Sequence, residues 1–129
     1  MGFKIRNLTK NTMLCEKASF ADSFWKRAKG LMFRKGWEDS DGLLLSPCRS
    51  IHTFGMRMVI DVCFLDSDYM IMKSLGSLGP WRSAQGGWRS HSTLELPTGT
   101  LERTGTGTGD RLVLERDEQE HTLTGLDEV

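Results

Sequence analysis

Residues 51–66 read IHTFGMRMVIDVCFLD, and no other stretch constrains the fold as strongly. It is a near-continuous apolar run, interrupted by the polar side chains His52, Thr53, Arg57 and Asp61. An apolar run with β-branched and aromatic residues reads as buried strand. A His and an Asp set into such strands need partners, because an unsatisfied buried polar group costs about 1–3 kcal/mol. Gly55 is the expected bulge or kink, dividing the run into Ile51 to Met56 and Val59 to Leu65. In the second piece Val59, Asp61, Cys63 and Leu65 share one face, and Ile60, Val62 and Phe64 share the other.

The rest of the chain predicts more short strands. Phe3 to Leu8, Met13 to Phe20, Leu43 to Leu45, Tyr69 to Met72, Thr93 to Leu96 and Arg111 to Glu115 each suit one. Asn11-Thr12 and Asp66-Ser67-Asp68 suit the turns between neighbours. A short helix is expected over Phe24 to Lys29, with Asp22 or Ser23 as N-cap and Gly30 at the C-cap. Residues 76–92, GSLGPWRSAQGGWRSHS, read as the one long irregular stretch. Residues 98–110, TGTLERTGTGTGD, read as Gly/Thr-rich turn material. The fold class is therefore α+β and β-dominated, a small antiparallel barrel-like sheet with one short helix packed on it. Residues 1–116 form a single domain, and 117–129 are expected to be an acidic, partly mobile tail.

Charge and cysteine usage narrow the function classes. The 17 Lys and Arg balance 17 Asp and Glu. The first 36 residues are nevertheless basic and the last 20 acidic. A neutral chain without a nucleic-acid motif argues against a nucleic-acid partner. Three cysteines at irregular spacing, Cys15, Cys48 and Cys63, suit reduced thiols. With no apolar signal region at the N-terminus and no span of about 20 apolar residues, the expectation is a cytoplasmic monomer without a membrane contact.

Four blocks, RAKGLMFRK (27–35), GLLLSPC (42–48), IHTFGMRMVIDVCFLD (51–66) and LELPTGT…GTGTGDRLVL (94–114), together resemble one family, the prokaryotic domain of unknown function 192. The resemblance covers about residues 20–115. Its strongest phrase is Thr-Phe-x-Met-x-x-x-Ile-Asp-x-x-Phe-Leu-Asp, with Val59 where relatives commonly carry Pro. The resemblance implies a compact, β-dominated α+β domain. It supplies no catalytic residues.

Several residue groups can carry chemistry. An Asp can orient a His for acid–base work, so His52 with Asp61 is one candidate. The alternative is structural, with Asp61 satisfying backbone N–H groups at a bend. Cys48 and His52 form a C-x3-H pair, a thiolate with its base or half a zinc site. Zinc needs four ligands, and Cys63, His91 and His121 have no recognisable spacing to complete the set, so neither a metal nor another cofactor is expected. Trp81, Arg82, Trp88, Arg89 and His91 make the 76–92 segment the best binding candidate, because indole faces stack on ligands and Arg clamps carboxylate or phosphate. Gly105, Gly107 and Gly109 alternate with Thr, but no Lys-Ser/Thr follows, so the phosphate-loop pattern is absent. The preferred expectation is a ligand-binding or accessory module. Its ligand, a small molecule, glycan or peptide, would lie between the 76–92 segment and the His52 face. The alternatives are a hydrolase using His52 with Asp61 or Cys48, and a protein-interaction domain.

Overall fold

The structure, a computed structural model, describes residues 2–21, 36, 37 and 40–116. The strands are β1 (Phe3–Asn7), β2 (Thr12–Ala21), β3 (Gly42–Leu45), β4 (Ser50–His52), β5 (Ile60–Leu65), β6 (Ile71–Leu78), β7 (Ser83–Gln85), β8 (Ser92–Pro97) and β9 (Leu112–Arg116). One described helix, α1, spans Thr100–Thr104. Seven strands form one sheet in the order β6-β5-β8-β3-β2-β1-β9, and β4 pairs with β7 in a separate two-stranded layer.

The sheet curls into a half-barrel. Its outer strands meet at one end, where Met70 bridges Arg111, the Ile71 amide donates to Asp110 O at 2.8 Å and the Leu112 amide donates to Tyr69 O at 2.9 Å. All pairs are antiparallel except β2 with β3. A parallel pair needs a crossover of a dozen or more residues, and residues 22–41 separate these two strands. The fold is thus the strand-dominated α+β architecture expected, with one parallel pair inside it.

Apolar residues collect on both faces of the sheet. The first cluster joins Ile5, Leu14, Cys15, Leu44, Cys63, Leu65, Ile71, Leu94, Leu96 and Leu112, which come from all seven strands, so it fills the inside of the curl. The second joins Leu43, Leu45, Ile60, Val62 and Phe64 with Ile51, Met56 and Ala84, and is the seam between the sheet and the β4–β7 layer. β5 serves both clusters, and all six of its residues are buried. That explains its near-continuous apolar sequence, which a strand with one wet face would not have.

Some local expectations change. The helix predicted over 24–29 lies outside the described residues, as does the tail 117–129. The described helix instead lies within the segment read as turn material. Gly99 and Gly105 bracket it with left-handed φ of 91° and 66°, and Leu101 is buried in the first cluster. Five residues are too few to show a helical period in sequence. Residues 76–92 are not one irregular loop, because β6 runs on to Leu78 and β7 follows. Val59 precedes β5 and is exposed rather than sharing the Asp61 face. Asp66 makes the expected turn, its Oδ1 accepting from the amides of Asp68 and Met70 at 2.9 Å each.

Candidate functional site

β4 and β7 bring together residues 31 to 35 positions apart. On the outer side of this layer the ring centroids of His52 and Phe54 are 5.1 Å apart, and those of Phe54 and Trp81 are 5.7 Å apart with planes 27° from parallel. Trp81 is 71 % exposed and Phe54 46 %. His52 and Arg82 are also exposed. The surface therefore carries a continuous stack of three rings with a guanidinium beside it in the chain.

Thr53 builds this stack. It is fully buried, between two outward-facing rings. Its amide donates to Arg82 O at 2.7 Å, and its carbonyl accepts from the amides of Met56 at 3.1 Å and Trp81 at 3.2 Å. Its hydroxyl donates to Gly79 O at 2.7 Å and accepts from the Arg82 amide at 2.8 Å. Gly55, with φ of 83°, occupies the third position of the Thr53–Met56 turn, where a type II turn requires positive φ. Trp81 has φ of 62°, a left-handed conformation costing a non-glycine residue about 1–2 kcal/mol. The Thr53 hydrogen bonds over-determine the segment and hold it there.

The other expected site residues go elsewhere. Asp61 is buried, and both its oxygens are engaged: Oδ1 accepts from the Ser77 amide at 2.8 Å and Oδ2 from the Leu101 amide at 3.0 Å. It ties β5 to β6 and to the start of α1, and makes no hydrogen bond to His52. These are the backbone N–H contacts that the structural alternative anticipated. The Cys48 thiol donates to Ser50 O at 3.1 Å rather than meeting His52. Trp88 is 75 % exposed, with the Arg89 guanidinium 5.0 Å over its ring, a cation–π pair apart from the His52 stack. His91 is exposed and its Nδ1 lies 3.0 Å from Ser92 Oγ. All three cysteines are free. Burial pushes the Cys63 thiol up to about 12 and Cys15 higher still, with Asp61 and Asp41 respectively adding to the effect. Both are buried, an environment that keeps a thiol protonated. Among the described residues no three His, Cys, Asp or Glu side chains gather as a metal site.

One residue escaped the sequence reading. Glu95 lies mid-strand in β8, opposite Leu43 and Val62, and is only 4 % exposed. Its Oε2 and Ser90 Oγ are buried without a hydrogen-bond partner among the described residues. Burial alone raises its carboxyl from 4.5 to about 7. In LEL an acid between two leucines looks like ordinary alternation with one wet face. Only the layer on the second face makes it anomalous.

A UPF0127 protein of Pyrococcus horikoshii is 37 % identical over 111 residues, which cover 84 % of this chain and 96 % of that protein. One of Pyrococcus furiosus is 37 % identical over 109 residues, covering 82 % and 93 %. A crystal structure of a Novosphingobium aromaticivorans protein of unknown function superposes with a TM-score of 0.74 at 19 % identity, covering 88 % of this chain and 84 % of that one. A Sinorhizobium meliloti protein, described as a candidate transcription regulator, gives 0.73 at 21 % identity, covering 87 % and 91 %. At these identities the two structures speak to the fold alone. The sequence model of DUF192, uncharacterized ACR, matches residues 6–114, and the chain belongs to that family.

Proposed function

We propose that the protein is a binding module whose ligand packs on the His52–Phe54–Trp81 stack, with Arg82 available to an anionic or hydroxyl-bearing group. The observation that carries this reading is the stack itself, three rings laid on the surface with Trp81 71 % exposed. Solvent-facing aromatic area gains nothing in the free protein and is gained back when a ligand covers it. The backbone strain at Trp81 supports the same reading, since strained conformations cluster where a side chain must be presented. The ligand class is a small molecule, sugar or peptide with a flat apolar face. The hydrolase alternative has less support, because Asp61 spends both oxygens on backbone amides.

A thermal-shift screen against sugars, nucleotides, organic acids and short peptides tests this. A ligand at about 100 times its dissociation constant stabilises by roughly 2.7 kcal/mol, a shift of several degrees. The expected hit disappears in Trp81→Ala and persists in Trp88→Ala. A hit that survives Trp81→Ala removes the stack from the account.

A further inference from the structure

Glu95 occupies the middle of the seven-stranded sheet, on the face covered by the β4–β7 layer. Its direct neighbours across β3 and β5, Leu43 and Val62, belong to the apolar cluster that takes in Ile51, Met56 and Ala84 of that layer and its turn. β8 is hydrogen-bonded on both sides, so the sheet itself does not part to let water in. The layer that covers this face is small. Its strands have three residues each, and it rests on the sheet through Ile51, Ala84 and Met56. Its polar ties are Cys48 N to His91 O at 2.8 Å, Thr53 Oγ1 to Gly79 O at 2.7 Å, and Arg49 Nε to Ser90 O, Lys73 Nζ to Gln85 O and Thr93 Oγ1 to Cys48 O, each at 3.1 Å. An apolar seam tolerates a neutral carboxylic acid, but an unpaired carboxylate must be rehydrated or neutralised.

We infer that ionisation of Glu95 loosens the β4–β7 layer from the sheet and, with it, the ring stack that the layer carries. The consequence for ligand binding rests on the proposed function; the loosening does not.

Among the described residues no charged group offsets Glu95. On this face β3 presents Leu43 and Leu45, β5 presents Ile60, Val62 and Phe64, and β2 contributes Ala21. The titratable groups nearby are committed or exposed. Lys73 is on Gln85, Arg49 Nε donates to Ser90 O at 3.1 Å, the Cys48 thiol donates to Ser50 O, and His52 and Arg82 face outward. Burial therefore sets the carboxyl's behaviour, raising it from 4.5 to about 7. For an acid raised in the closed state, closure is strongest below the ordinary value and weakens as pH rises through about 7.

Met56 reports the seam, because it is buried there and its thioether does not ionise. Its oxidation to sulfoxide by hydrogen peroxide can be followed by mass spectrometry, with the partly exposed Met72 as internal reference. In the wild type the Met56 to Met72 rate ratio should rise roughly thirtyfold between about pH 5.5 and 8.5, the linkage for an acid titrating at about 7 closed and 4.5 hydrated. In Glu95→Gln and Glu95→Leu it should stay flat. A flat wild-type profile overturns the inference even if neither variant folds, and so does an equal rise in the variants. No ligand enters the assay, so failure of the ring stack to bind anything leaves its result unchanged.

Discussion

Replacing Thr53 by Val keeps shape and burial and removes one oxygen. That oxygen donates to Gly79 O at 2.7 Å and accepts from the Arg82 amide at 2.8 Å, so the substitution strips partners from a carbonyl and an N–H together. An unsatisfied buried group costs about 1–3 kcal/mol, and these two lie close enough to the surface for water to relieve part of it, which puts the global loss near 2 kcal/mol. The strain of about 1 kcal/mol at Trp81 is released when the segment lets go, so local opening is favoured beyond that figure. Urea unfolding gives the first quantity. Hydrogen exchange by NMR at the Arg82 amide gives the second, with protection expected to fall at least thirtyfold, the equivalent of about 2 kcal/mol. Thr53→Ser is the control: it keeps the oxygen, loses one methyl worth about 1 kcal/mol and should retain Arg82 protection. A Thr53→Val protein within about 0.5 kcal/mol of wild type, with Arg82 still protected, would show that the hydroxyl does not hold the ring stack in place.

Asp61→Ala removes two charge-assisted hydrogen bonds to backbone amides, and urea unfolding should record a loss of about 3–5 kcal/mol with any ligand binding at the stack otherwise intact. A near-neutral effect would reopen a functional role for this carboxylate. Asp110 behaves oppositely to Glu95 in pH. Burial pushes its carboxyl up, but hydrogen bonds from Asn7, Gly107 and Lys10, with the Lys10 charge, outweigh that and hold it below 3.8. Its contribution is present above the ordinary value and lost as pH falls through the folded one. Asp110→Asn should therefore cost about 2 kcal/mol at neutral pH and flatten the acid limb of a stability–pH curve, and an unchanged acid limb would count against this account.

The strand content, most strand positions, the Asp66 hairpin and the family were legible in the sequence because each rests on local chemistry. β5 announces itself by six consecutive buried residues, and Asp66 by the turn that its own carboxylate closes. Family membership follows from blocks whose order and spacing survive without reference to contacts. The helix at Thr100–Thr104 was hidden because five residues carry no period, and what stabilises its start is Asp61, 40 residues earlier. The choice between an Asp61 that orients His52 and an Asp61 that satisfies amides was likewise open in sequence, since both readings need the same residue types. Only tertiary structure places the Ser77 and Leu101 amides at its two oxygens. It also divided the expected aromatic loop, carrying Trp81 to His52 and leaving Trp88 with Arg89, because β7 pairs with β4. Glu95 is the clearest case. A one-dimensional pattern records which residues alternate, whereas burial on the second face depends on which layer the chain folds across it, and only that covering layer turns an ordinary strand acid into a buried one whose Oε2 has no partner among the described residues.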